Sequence, residues 1–143
     1  MAYLKSETIT GYHFSPGKLR FGTQQPITEN EVHSIPIGES VIPCRNGFHC
    51  SRRAINAYTY YGKLCNTDDD QLYLSRVTLF GDLQSHFSWN RILKKDGVTK
   101  YVGRHRFYNK VVKLNRTQRR QLRKLYVQQN YKEFDALAKS IVG

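Results

Sequence analysis

Apolar residues first gather at Ile9, Tyr12 and Phe14 within TITGYHFS (residues 8–15). Small or polar residues separate them and Pro16-Gly17 closes the run, which predicts a strand entering a turn. Residues 22–46 hold Pro26, Pro36 and Pro43 among Gly, Asn and Ser, so they predict a long loop with a short extended piece in SIPIGESVIP. Asn46-Gly47 is a turn signal, and Phe48 and His49 suit a short strand after it. Ser51 stands where an N-cap belongs. Behind it Ala54, Ile55, Ala57, Tyr58 and Tyr61 recur at helical spacing up to Gly62, which predicts a helix ending there. The run Asn66–Asp70 predicts a solvated acidic loop.

QLYLSRVTLFGDL (residues 71–83) gives the clearest strand. Leu72, Leu74, Arg76, Thr78 and Phe80 would face one way, and Tyr73, Ser75, Val77 and Leu79 the other. Apolar residues on both sides predict a strand covered on both faces. Residues 98–113, rich in Val and Tyr, predict one bent strand, or two strands broken near Gly103 or Asn109. The end is helical. Asn115 with Gln118, and Asn130 with Glu133, each have capping-box spacing. Leu122, Leu125 and Tyr126 share one face of the first helix, and Tyr131, Phe134, Leu137, Ala138 and Ile141 line the second. The expectation is an α+β or α/β fold: a mixed sheet with a few helices (residues 1–113), closed by a basic helical hairpin (114–143) packed on it as one structural unit.

Charge sharpens this picture. Residues 1–72 hold seven Lys or Arg and seven acids, whereas residues 73–143 hold sixteen and four, so the whole net charge of +12 lies in the C-terminal half. Residues 104–124 alone carry nine Lys or Arg and no acid. A solvated helix face usually mixes in acids for i,i+4 pairing; a run of like charges repels itself unless a polyanion relieves it. Arg104, Arg106, Lys110, Lys113, Arg116, Arg119, Arg120, Arg123 and Lys124 are therefore candidate phosphate contacts. Tyr101, His105, Phe107 and Tyr108, interleaved with them, are candidate stacking rings. The partner is expected to be nucleic acid, DNA or RNA undetermined, or an acidic host protein. This binding reading needs no cofactor.

No apolar run reaches membrane-spanning length, and MAYLKSETIT has no apolar signal core, so no membrane partner is expected. Three cysteines, an odd number, fit a reducing compartment and a cytoplasmic protein. Cys44, His49, Cys50 and Cys65, with His13, could in principle ligate a metal, but their spacing matches no common zinc pattern and no metal is expected. Cys50, before a helix start and beside Arg52 and Arg53, is a candidate low-pKa thiol, against the commoner role of a buried small residue.

The segments CRNGFHCS, AYTYYG and LSRVTLFGD resemble a small uncharacterised domain family frequent in phages and bacteria, marked by a C-x-x-G-F-H-x-C segment, a tyrosine-containing helix and a V-x-x-x-G strand. Here Cys50 follows His49 directly. The likeness covers residues 40–83 and implies a phage accessory protein. More remotely, GYHFS, GFHCSRRAINAYTYYG and LYLSRVTLFGDL are similar in order and spacing to the ADP-ribosyltransferase fold of the poly-ADP-ribose polymerase type. That resemblance implies His13 as a ribose contact and His49 or Tyr58 as the ring stacking on nicotinamide, with NAD as cofactor. The family's later-strand Glu is absent from GVTKYVGRHRFYN. An inactive relative, or the RNA 2′-phosphotransferase branch with Arg104, His105 and Arg106 handling phosphate, would both fit that absence. A third reading is a protein–protein inhibitor whose interface is the tyrosine-rich helix at 54–61.

Overall fold

The computed structural model describes residues 7–16, 26–42, 46–64, 71–90 and 92–143. The elements in order are β1 (Thr8–Ser15), β2 (Val32–Ser34), β3 (Phe48–Cys50), α1 (Ala54–Leu64), β4 (Tyr73–Phe80), β5 (Gln84–Asn90), β6 (Lys95–Gly103), β7 (His105–Lys113), α2 (Arg116–Val127) and α3 (Tyr131–Val142). They form a four-stranded sheet, β1-β4-β7-β2, and a three-stranded sheet, β3-β6-β5. Every pairing between these strands is antiparallel, so the fold is α+β and the α/β alternative falls away. Among the described residues, no helix is long and apolar enough to cross a membrane.

The alternation expected of 71–83 is realised in β4. Leu74 lies opposite Phe14 and faces the helices, while Val77 and Leu79 lie opposite Gly11 and Ile9 and face the second sheet. Both sides of this central strand are therefore buried, each apolar side chain contributing about 1.5–3 kcal/mol. One apolar cluster joins Tyr12, Phe14, Leu72 and Leu74 to α1, α2 and α3 through Tyr58, Leu122, Phe134 and Ala138. A second, of Ile9, Ile27, Cys50, Val77, Leu79 and Tyr108, fills the space between the sheets. Gly11 is where the sheets touch: a Cβ there would lie 2.6 Å from the Ser51 carbonyl oxygen and 2.7 Å from Cys50 Sγ.

Residues 98–113 contain both expected breaks. At Gly103 and Arg104 the chain leaves the three-stranded sheet and enters the four-stranded one. At Asn109 β7 carries a bulge, because Tyr108 pairs with Val77 but Lys110 with Arg76. The bulge keeps Tyr108 on the inner face and turns Lys110 to the other.

Helix ends differ in part from the sequence reading. Asn115 caps α2, its side chain accepting from the Gln118 N–H at 2.8 Å while the Gln118 side chain accepts from the Asn115 N–H at 3.0 Å. Asn130 makes no side-chain cap on α3. Ser51 does not cap α1, because it is buried and its backbone pairs with Tyr12. The cap comes from far along the chain: Asp135 Oδ1 accepts from the Ile55 N–H at 3.0 Å, and Oδ2 pairs with Arg53 at 2.6 Å. Gly62 does not end α1, which runs on to Leu64. Cys44, Cys65 and the acidic loop 66–70 lie outside the described residues.

Candidate nucleic-acid interface

The strand period divides the basic run in two. Arg106 lies across from Leu79 and His33 on the inner face of β7 and is 4% exposed. Its Nε donates to Tyr108 Oη at 2.8 Å and its Nη1 to the His49 carbonyl at 2.9 Å, with the guanidinium over the Phe48 and Tyr108 rings. It therefore cannot grip an external phosphate, and Tyr108, wholly buried, cannot stack on a base. Arg104 is also committed. Its Nε pairs with Asp82 at 2.7 Å, and its other nitrogens donate to the Pro36 and Glu39 carbonyls, tying the 36–39 turn to the end of β4.

His105 is taken up too: it stacks on Phe80 at 4.7 Å, and its Nδ1 lies 2.6 Å from Ser34 Oγ. Phe107, on the same face of β7 as His105, is half-buried, and neither Phe107 nor Phe80 joins an apolar cluster.

The remaining cations reach solvent. Lys110 and Lys113 are exposed on β7. At 100° per residue, Arg116, Arg120, Arg123 and Lys124 fall on one side of α2 and Leu122 and Tyr126 on the other. The burial agrees: the four cations are exposed, Leu122 is buried and Tyr126 half-buried. Arg119 lies nearer the buried side and donates to the Leu114 carbonyl at 2.9 Å. Exposed Val127 ends the cationic stripe. No acid occurs in the sequence between Gly97 and Lys132.

The residues singled out by the enzyme reading are only partly brought together. His13, on the inner side of β1, and His49 are both within electrostatic reach of Arg106. But His49 alternates with Phe48 and Cys50, which face the space between the sheets, so its ring points to the other side of β3, towards Lys100 and His86. Burial, then the charges of Arg106 and His49, hold His13 well below the usual histidine range. His49 is lowered to about 4, by burial first and then by Lys100, Arg106 and His86. His33, opposite Arg106, is lowered by burial and Arg106 against the opposing pull of Glu31. Among the described residues, the Nδ1 atoms of His13 and His33 are buried without a hydrogen-bond partner. These rings are neutral at physiological pH.

Tyr58 does not belong to this group. It packs edge-on against Phe14 at 5.2 Å, among Tyr126 and Phe134. Phe14 and His13 are neighbours on β1 and point to opposite faces, so the sheet separates Tyr58 from His13. Ala54, Ile55, Ala57 and Tyr58 are all buried, so the exposure that the inhibitor reading expects is not met at these four positions.

Cys50 is the reverse of a reactive thiol: burial pushes it up to about 12, against the opposing pull of Arg106, Arg76 and Arg52. Among the described residues no cluster of His, Cys, Asp or Glu has a metal-binding arrangement.

β5 and the turn after it are not among the elements predicted from apolar spacing. Its outward residues include Phe87 and Trp89, 66% and 60% exposed, and Leu93 beyond them is 54% exposed. The alternation in QSHFSWN carries the signal of a half-exposed strand. Comparisons with protein-family models, with curated proteins and with solved structures find no match.

Proposed function

We propose that the protein binds nucleic acid, without catalysing a reaction, through Lys110, Lys113 and the α2 stripe of Arg116, Arg120, Arg123 and Lys124. The observation that supports this most is the segregation on α2. Four cations occupy the solvent side of a twelve-residue helix that has no acid in its first turn and none in the flanking sequence. Arg104 and Arg106 drop out of the contact set, and Arg119 is at its edge. If all six exposed cations meet phosphate, the logarithm of affinity falls with the logarithm of salt with a slope of about −5 on duplex or about −4 on single strands. The resemblance at residues 40–83 supports a phage accessory setting, in host takeover or evasion of host defence within the host cytoplasm.

The test is anisotropy of labelled single- and double-stranded DNA and RNA across a salt series. Arg116→Glu/Arg120→Glu/Lys124→Glu should keep its circular dichroism spectrum and lose at least half of the salt slope. Salt-independent affinity, or affinity that survives the triple reversal, would refute the reading. Capture of an acidic protein through the same six cations, with no oligonucleotide affinity, would transfer the surface to that partner.

The electrostatic reach between His13, His49 and Arg106 favours a second reading, an ADP-ribosyltransferase or phosphotransferase relative that binds a nucleotide close to these residues. Calorimetric titration with NAD and with mononucleotides tests it. Heat release lost in His13→Ala would support it, and no heat from any of them would end it.

A further inference from the structure

We infer that β5 is a self-association edge, and that two copies of this chain join β5 to β5 in antiparallel register centred on Phe87. The inference is independent of the nucleic-acid reading. The sheets have four edge strands. β2 and β3 have three residues each, too few for a stable addition. β1 is tied to the loop before α1, where the Tyr12 and Ser51 backbones exchange hydrogen bonds of 2.7 and 3.1 Å. β5 has seven residues and, among the described residues, pairs only with β6.

Edge strands that must stay single are blunted by Lys, Pro or a bulge. QSHFSWN has no Lys, Arg, Asp, Glu or Pro, and the bulge in this hairpin falls at Thr99 on β6. The strand is also rigidly held. Asn90 is buried, and its side chain accepts from the Ile92 and Leu93 N–H groups at 2.9 and 3.1 Å. Ile92 packs against the helical cluster and Leu93 stands outward. Ser88 and Thr99 hydroxyls bond each other at 2.7 Å, and both reach Tyr60 of α1.

The exposed row on this strand is Ser85, Phe87 and Trp89, backed on β6 by Tyr101, Val98 and Asp96, with the Arg52 guanidinium over the Tyr101 ring. Asp96 at one end balances Arg52 at the other, so in a chain of net +12 this row carries no cationic excess, which argues against phosphate as the occupant. A second copy fits better. Centred on Phe87, antiparallel pairing sets Phe87 against its own copy and each Trp89 against a small Ser85. The indole then has room to lie across the seam, and the apolar row continues from one sheet into the other.

Trp89 is the chain's single tryptophan, so its emission reports directly on this edge. The experiment is sedimentation equilibrium and tryptophan emission from low to high micromolar protein, at low and at raised salt. The expected result is a monomer–dimer equilibrium with a blue shift of emission on dimerisation. Raised salt should strengthen it at least severalfold by screening the +12 charges, the opposite sign to phosphate binding. Phe87→Lys, at an exposed position that leaves the core intact, should be monomeric throughout and lose the concentration dependence of emission. A wild-type monomer at every concentration would overturn the inference, as would open-ended association or a dimer that survives Phe87→Lys. An emission change seen only on adding oligonucleotide would overturn it in favour of base stacking at β5.

Discussion

Arg106 is the residue on which charge counting and three-dimensional placement disagree most, and its replacement separates the two. The guanidinium is buried, forms no ion pair with a carboxylate among the described residues, and holds Tyr108 and the His49 carbonyl by charge-assisted bonds of 2.8 and 2.9 Å. Such bonds contribute about 1.5–3 kcal/mol each. Part of that is offset by the cost of burying an uncompensated cation, which the replacement removes. Arg106→Ala also empties the space of the side-chain stem beside Phe48, so a net loss of about 3–4 kcal/mol is expected. That corresponds to a fall in Tm of roughly 10 °C. Arg106→Met keeps the volume and removes the buried charge, and should lose only about 1–2 kcal/mol. Urea unfolding followed by circular dichroism measures both. Oligonucleotide affinity of the folded Met variant should match wild type within about twofold, well under the tenfold that 1.4 kcal/mol represents. An unchanged urea midpoint together with a tenfold loss of oligonucleotide affinity would refute the argument and return Arg106 to the phosphate-binding set.

The buried histidines make the fold acid-sensitive. A group whose folded pKa is depressed binds protons first in the unfolded state, so its contribution is complete above pH 6.5 and is lost as pH falls towards the folded value. For His49, lowered to about 4, the loss by pH 4 is roughly 3 kcal/mol, with His13 and His33 adding in the same direction. Urea midpoints measured from pH 7 to pH 4 should fall, and a flat profile would show that these rings are not neutral in the fold. Gly11→Ala drives a methyl group into the Ser51 backbone and Cys50 Sγ and should cost about 1–3 kcal/mol by thermal unfolding. Asp135→Ala removes both the α1 cap and the Arg53 pair, and should cost about 1–3 kcal/mol where a surface pair would cost under 1.

Much of the fold was legible because its periods are clean. β1, β4, α2 and the buried face of α3 follow from apolar spacing, and Asn115 with Gln118 named the α2 cap. What the sequence concealed was long-range. Nothing near Ser51 shows that Asp135, eighty positions away, caps Ile55. Nothing in the composition of RHRFYNK separates Arg104 and Arg106, committed inside the protein, from Lys110, exposed. Strand alternation alone would set Arg106 and Lys110 on one face, and only the Asn109 bulge parts them. The family likeness set His49 or Tyr58 beside His13, but alternation along β3 turns the His49 ring to the other side from Phe48 and Cys50, and the β1 sheet lies between His13 and Tyr58.

The stripe on α2 also fixes how the free protein responds to salt. Arg116–Arg119, Arg116–Arg120, Arg119–Arg123, Arg120–Arg123 and Arg120–Lys124 are like-charge neighbours at helical spacing. At about 0.2–0.5 kcal/mol each, they destabilise the helix by about 1–2.5 kcal/mol at low ionic strength. Arg116 adds to this, since it stands at the positive end of the helix dipole in a first turn without an acid. The neutral capping box of Asn115 and Gln118 holds that end without offsetting the charge. Raising salt should therefore stabilise the free protein, raising its urea midpoint over the range in which oligonucleotide affinity falls. Arg120→Gln removes three of the five pairs and should raise low-salt stability while lowering affinity. If it lowers both, the stripe is held by interactions within the fold, and the strain attributed to it, which a phosphate backbone would relieve, does not exist.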